Sequence, residues 1–351
     1  MKRGLSITDL AKKIEANREL KADYIAPASA LAVEVQDDNA VAMHAPGIGS
    51  FPILPIAHDQ IGAKTGIPAR YYDRMLAEEP ALLARNINTW LAKDDDRRML
   101  RTLGGDLRAF LSDKYNRVEN EEIAEVVLPV LASTPGIEVV AAEITDRRMY
   151  LLATTSRVQG EVRKGDVVQA GVMISNSEVG LGAVSIRPMV YRLVCLNGMV
   201  LPDGKLTARH VGRRISEDED LNAIFSDEAR KADDRALLLK VRDVVRHSLD
   251  EAVFTAAVDK MRGLTEAKVT GDPAKAVEVL AKKVGATESE RGGILRALIE
   301  GGDLSAFGLI GAVTYQAHGT ESFDRAVEFE AMGGALLDLP AREWREILEA
   351  A

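Results

Sequence analysis

EVVAAEITDRRMYLLATTSRVQGEVRKGDVVQAGVMISNSEVGLGAVSIRPMVYRLVC, residues 138–195, decides the fold class. Four apolar, β-branched runs lie in it: Glu138–Ile144, Tyr150–Thr155, Val167–Ser175 and Ala183–Cys195. They read as strands. Asp146, Arg147 and Arg148 supply one hairpin turn, and Asn176 to Gly182 another. No helix-length crossover separates the runs, so the sheet is antiparallel and the class is α+β rather than a parallel α/β array.

Outward from this core, helical periodicity dominates. Residues 6–23 read as an amphipathic helix capped by Ser6 or Thr8, and 31–36 with 40–44 as a hairpin turning at Asp37–Asn39. A Gly- and Pro-rich stretch, 46–55, reads as loop or edge strand, followed by short helices over 56–64, 69–76 and 80–91. Leu107–Ser112 reads as a strand and Asn120–Leu131 as a helix. Asn197–Gly198 is the strongest short turn signal and should end the Arg187–Cys195 strand. Ser216 to about Arg262 reads as one long helix, and 273–284, 288–299, 305–317, 322–331 and 340–350 as further helices. A soft boundary at 263–272 divides an α+β unit, 1–262, from an all-helical unit, 273–351.

Composition narrows the function classes. The chain has 351 residues, 46% hydrophobic and 28% charged, which is ordinary for a globular protein. No apolar run approaches the roughly 20 residues of a membrane span, and no apolar leader follows the N-terminal basic residues, so a cytoplasmic location with no membrane partner is expected. A lone cysteine, Cys195, precludes an internal disulfide and reads as a small buried hydrophobe of its strand. The net charge of −9 is uneven. Residues 215–351 hold 17 Lys and Arg against 27 Asp and Glu, whereas residues 1–214 are close to neutral.

Within the near-neutral part, two stretches are basic: Arg97, Arg98, Arg101, Arg108, Lys114 and Arg117 exceed two acids, and Arg187, Arg192, Lys205, Arg209, Arg213 and Arg214 exceed one. Arg147 and Arg148 add a third group, and His210 follows Arg209. Such concentration suits a polyanion, because each neutralised phosphate releases a counterion. Tyr115, Tyr150 and Tyr191 sit among these cations, as bases stacking on aromatics would require. The same residues equally fit solvated strand faces and half-buried sheet tyrosines.

Chemistry-bearing motifs are scarce. Five histidines and one thiol form no zinc spacing, Gly62-Ala63-Lys64-Thr65 lacks the glycines of a phosphate cradle, and Asp94–Asp96 cannot converge on one ion as sequence neighbours. Cys195 would need a base such as His210 to act as a nucleophile. A non-enzymatic protein without cofactor or metal is therefore expected.

Several strings carry a family resemblance: IPARYYDRML (67–76), NINTWL (86–91), RTLGGDLRAFLSDKYNRVEN (101–120), NSEVGLGAVSI (176–186), YRLVCLNGMV (191–200), ARH (208–210), GLIGAVTYQAH (308–318) and FDRAVEFEAMGGALLDLP (323–340). Together they resemble, from about 56 to 340, the phage- and plasmid-borne family catalogued as domain of unknown function 932. Strands followed by a long helix also look like the core of the Rad52-like annealing proteins, a fold-level analogy. The resemblance and the basic stretches together imply an oligomeric accessory protein of phage or plasmid recombination or replication. It would anneal or bind single-stranded DNA along Arg97, Arg98, Arg101, Arg108, Lys114, Arg117, Arg147, Arg148, Arg187, Tyr191, Arg192, Arg209, His210, Arg213 and Arg214, and cooperate with phage or host proteins. The alternative is a regulatory protein engaging a partner through its acidic helical C-terminus, with Trp344, Ile347 and Leu348 as the docking face.

Overall fold

The computed structural model describes residues 4–37, 39–182, 184–202, 206–208 and 227–351. Its centre is an antiparallel sheet of β7 (Ile137–Ile144), β8 (Met149–Glu161), β9 (Val167–Asn176), β10 (Val184–Arg192) and β11 (Asn197–Val200), hydrogen-bonded in sequence order. A short β12 (Leu206–Ala208) also pairs with β10. The turns at 145–148 and 177–182 are those that Asp146 and the Asn176–Gly182 stretch promised, with Gly180 at φ 77° and Gly182 at φ 151°. The class is α+β, as expected.

Both faces of this sheet are covered, which is why β8 and β9 read as nearly unbroken apolar runs. On one face Leu151, Ala153, Val172, Ile174, Val184 and Ile186 pack against helices α1 (Ile7–Leu20), α5 (Asn120–Ser133) and α6 (Asp227–Ser248). On the other, Tyr150, Leu152, Met173, Met189 and Tyr191 meet Phe323 and Val327 of α11 (Phe323–Leu337). Tyr191 is thus a core residue, not a stacking platform.

The N-terminal part adds two three-stranded sheets. β1 (Lys21–Pro27), β5 (Arg97–Leu103) and β6 (Asp106–Ser112) form one, and β2 (Ala32–Val35), β3 (Val41–Ala45) and β4 (Gly49–Pro52) the other. Helices α2 (Pro55–Thr65), α3 (Ala69–Glu78) and α4 (Pro80–Leu91) close over them, with Ile61, Leu83, Ile87 and Leu91 in their shared core. The expected helix over 6–23 stops at Leu20, because Lys21 to Pro27 is drawn into register with β5.

The long helix expected from Ser216 is interrupted: α6 ends at Ser248, and α7 (Glu251–Glu266) restarts after Asp250, whose side chain caps Ala252 N–H. Ser216 itself lies outside the described residues. Asn197–Gly198 is not the turn. Leu196 takes the left-handed position instead, at φ 51°, and Asn197 opens β11 opposite Arg192. Cys195 therefore sits half-exposed in that turn rather than inside a strand.

Helices α8 (Pro273–Val284), α9 (Glu288–Gly301), α10 (Ala306–Tyr315), α11 and α12 (Ala341–Leu348) complete the chain. The boundary expected at 263–272 falls inside one hydrophobic cluster, in which Phe307, Ile310, Val313 and Phe329 pack with Val168, Ala170 and Val190 of the sheet. Trp344, Ile347 and Leu348 are spent in the same cluster, so the docking face proposed for the C-terminus is internal.

Two outcomes are expected. The ideal Cβ of Gly334 would lie 1.7 Å from the Val200 carbonyl oxygen, whereas that of Gly292, mid-helix in α9, meets nothing within 4 Å. In chemical denaturation Gly334→Ala should cost about 3 kcal/mol, and Gly292→Ala should gain about 0.5–1 kcal/mol. Arg325 holds Glu290 through hydrogen bonds of 2.9 and 2.8 Å, and chiefly through them the Glu290 carboxyl is pulled down to about 2. A depressed carboxyl stabilises the fold above its unfolded value, near 4.3, and that contribution drains away as pH falls toward 2. The stability gap between the wild type and Arg325→Met should therefore be full at pH 6 and narrow progressively below pH 4.

Candidate functional site

The strings 101–120 and 176–186 are brought to one place, where β1, β5, β6, the N-terminus of α5 and the turn after β9 meet. Antiparallel register sets Asp23 opposite Arg101. Between β5 and β6 the register slips at Arg101 and Thr102, which pair with Ala109 and Leu107, so Arg108 is the extra residue of a β-bulge. Bulges re-aim side chains. Here Arg108 turns inward to Glu178, its Nη1 donating to Oε2 at 2.8 Å, while Nε and Nη2 are buried without a hydrogen-bond partner.

Glu178 is gripped from several sides. Asn120 N–H, in the first turn of α5, donates to its Oε1 at 2.8 Å and Lys21 Nζ at 2.5 Å, while Arg101 Nη1 donates to its backbone carbonyl at 2.8 Å. A helix N-terminus favours such an anion. Arg101, only 1% exposed, also donates Nε and Nη2 to the two oxygens of Asp23 and Nη2 to Glu119. Arg117 reaches Asp23 at 2.9 Å from outside. Lys21, Arg101, Arg108 and Arg117 thus face Asp23, Glu119, Glu121 and Glu178, four charges against four.

The electrostatics divide the carboxylates. Burial pushes Glu119 up, and Glu178 beside it adds to the rise against the pull of Arg101 and Lys21. Glu178 is buried as well, yet Arg108, Lys21 and the Asn120 N–H outweigh burial and hold it below the usual range. Asp23 is lowered in the same way, Arg101 and Arg117 overcoming its burial. The surroundings thus favour the charged form of Glu178 and the protonated form of Glu119.

Glu119, Glu121 and Glu178 are spaced to hold a metal ion, but Lys21 Nζ already lies 3.2, 2.7 and 2.5 Å from them. An ammonium fills the seat that a cation would take. Sequence reading overlooked these acids because they are 57–59 residues apart along the chain at the widest, and Lys21 is a hundred residues from Glu121. Arg101 and Arg108 were read as free cations for the same reason.

The basic segments do not form one strip. Arg98 is bound to Asp94 and Asp96, Arg101 and Arg108 are interior, and Arg192 makes a two-pronged pair with Asp166 at 2.6 and 2.5 Å while lying over the Phe307 ring. Arg192 and Arg97 also sit at the far ends of their strands from this meeting point. Arg187 is half-buried, bonded to Ser185 Oγ at 3.2 Å. Arg209, His210, Arg213 and Arg214 lie outside the described residues.

What does converge is smaller. Tyr115 Oη donates to the Ser177 carbonyl at 3.2 Å, and Ser177 Oγ donates to the Arg147 carbonyl at 2.8 Å. Arg148 reaches the Leu181 carbonyl. The loop 112–118, the β7–β8 turn and the 177–182 turn are thereby interlocked, setting the exposed Lys114, Arg117 and Arg147 and the half-buried Arg148 along one rim. Among the described residues His318 lies near Cys195, its Nε2 3.0 Å from the Cys195 carbonyl oxygen.

Removing one partner from a buried ionic network leaves an uncompensated charge, at a cost of about 3–5 kcal/mol. Arg101→Met should therefore lose that much in denaturant titrations, while Arg147→Gln on the rim should stay within about 0.5 kcal/mol of wild type.

Among the described residues no helix is long and apolar enough to cross a membrane. Comparison with curated proteins and with solved structures found no match. Residues 109–280 match the family model described as Domain of unknown function (DUF932), a span that holds the central sheet, the rim from Lys114 to Arg148 and the Glu119, Glu121 and Glu178 carboxylates. The strings at 67–76, 86–91 and 308–340 lie outside that span, so the similarity to DUF932 is that of residues 109–280.

Proposed function

We propose that this protein binds single-stranded nucleic acid, as a non-enzymatic, oligomeric accessory factor of phage or plasmid recombination or replication in the cytoplasm. The observation that carries the reading is the rim itself. Lys114, Arg117, Arg147 and Arg148 come from segments some thirty residues apart and are drawn together by the Tyr115, Ser177 and Arg147 hydrogen-bond chain. Cations gathered from separated segments onto one edge suit a phosphate backbone, which presents charges in a row. The paired arginines of the interior take no part in phosphate contact in this reading. Their work is to hold the rim's two turns and its loop in fixed relation.

Salt-titrated fluorescence anisotropy of a labelled single-stranded oligonucleotide tests it. Four phosphate contacts give a slope of log K against log salt of about −3, each single-strand contact contributing about 0.7. Charge reversal of Lys114 and Arg147 together should flatten the slope by about 1 to 1.5 and leave the denaturation midpoint unchanged. By contrast, Arg192→Glu should destabilise the fold, since it would set two carboxylates against each other at Asp166. Absence of binding at low ionic strength by folded protein would remove the proposal.

A further inference from the structure

α5 and α6 pack together on one face of the central sheet and leave between them a groove of about 510 Å³. Helical spacing builds both of its walls. α6 buries Val241 and Val245 on the sheet side, while Arg235, Leu238, Leu239, Arg242 and Arg246, recurring at steps of three, four, seven and eleven, make one stripe along the groove. On α5, Val126, Pro129 and Val130 recur at three and four. With Leu238 and Leu239 they give the groove an apolar lining, of which Leu239 is 43% exposed.

The charge around that lining is one-sided. Three arginines meet a single acid, Glu125. Arg242 is paired with Asp243 at 2.9 Å, whereas Arg235 and Arg246 are exposed and make no ion pair among the described residues. A phosphate backbone would take the arginines and leave the apolar lining in water, and none of the lining residues is an aromatic on which a base could stack. An apolar trough edged by cations suits a helix laid into it with carboxylates at its margin.

A surface of opposite sign begins within a turn of the groove. After α6, Leu249 N–H and Asp250 N–H bond the Arg246 and His247 carbonyls at 3.4 and 3.0 Å, and α7 starts at Glu251. α7 buries Phe254, Ala257, Val258 and Met261. Its exposed side sets Asp250, Glu251 and Asp259 around one shallow depression, three acids and no base, with Ala252, Thr255 and Ala256 between them. Asp250 caps Ala252 N–H and Asp259 holds Arg262 at 2.8 Å, while Glu251 makes no ion pair among the described residues. Side chains as small as those of Ala252 and Ala256 let another helix approach closely. No residue of α7 lines the groove of its own copy.

We infer that the α5–α6 groove of one copy receives the acidic face of α7 from a second copy. The inference rests on the oligomeric part of the proposed function and names the surface that makes it. Complementary charge decides the occupant: three arginines with one acid on one surface meet three acids on the other, and every copy brings both halves.

Sedimentation velocity of the full-length protein tests the contact. The wild type should sediment as an assembly that dissociates as salt rises. Arg242→Glu with Arg246→Glu, and separately Glu251→Lys with Asp259→Lys, should each weaken self-association at least about tenfold, because like charges then face each other. An equimolar mixture of the two double variants should associate again, since a reversed groove then meets a reversed helix. Circular dichroism checks that each variant is folded. If the wild type assembles and neither variant is weakened, or the mixture stays dissociated, the contact is overturned and the oligomeric reading stands. If the groove variant loses affinity for a labelled single-stranded oligonucleotide while its self-association is unchanged, the groove is a nucleic-acid track and the contact is overturned. A wild type that stays a single chain at every concentration overturns the contact and the oligomeric reading together, and leaves phosphate binding along the rim to its own titration.

Discussion

Glu178 is the constraint on which the arrangement around it depends. A carboxylate buried to 5% exposure is tolerated only when its charge is matched, and here the match comes from three directions, β1 through Lys21, the β6 bulge through Arg108 and the first turn of α5 through the Asn120 N–H, while Arg101 of β5 holds the Glu178 backbone carbonyl. Each donor lies on a different element. The N-terminal sheet, the helix and the turn after β9 cannot shift independently without stranding a charge. Such a network adds little net stability over well-packed apolar residues. What it supplies is direction, since an ion pair tolerates only one register whereas apolar contacts slide.

That distinction separates the arginines into two populations which composition alone cannot tell apart. Arg101 and Arg108 have carboxylates within hydrogen-bond reach and almost no water. Arg147 has its backbone held, by Ser177, while its side chain is exposed. Fixing the backbone and leaving the charge in solvent suits a binding rim, because the cation keeps its position without surrendering its field to a partner inside the protein. The pairing of Arg98 and Arg192 with acids removes them from that role and makes them structural joints.

The elements read correctly in the sequence are those whose signals are local. Asp146 to Arg148 and Asn176 to Gly182 are turn chemistry, and the apolar runs between them need no knowledge of distant residues. β5 is not discernible because three of the seven residues of RRMLRTL are arginines, and the carboxylates that bury Arg101, Asp23 and Glu119, are remote in sequence. The helix expected over 6–23 overruns the start of β1 because Lys21 and Asp23 continue a helical polar pattern until register with β5 overrides it. Asn197–Gly198 carries the strongest turn signal in the chain, yet tertiary context wins. Asn197 Nδ2 bonds Thr314 Oγ1 at 2.7 Å inside the core, so the reversal is moved back onto Leu193–Leu196. Among the candidate site residues, the cations were visible and their carboxylates were not, since only folding reveals that Glu178 lies between Lys21 and Arg108.

Helices α7 to α10 of the acidic C-terminal third do not cancel the rim. They gather where β9 begins, against Val168 and Ala170, while the rim starts beyond Asn176 at the other end of that strand. Ten residues of strand span roughly 30 Å, three to four times the screening length at physiological salt of about 8 Å. α11 reaches further, its first turn bringing Asp324 up to Tyr150 and Thr145 beside the β7–β8 turn. Asp324 accepts from both hydroxyls, at 2.8 Å from Tyr150 Oη and 3.2 Å from Thr145 Oγ1, so its charge is directed into the sheet rather than toward solvent. For a polyanion approaching the rim, the negative charge of α7 to α10 would lie beyond the range at which salt allows it to repel.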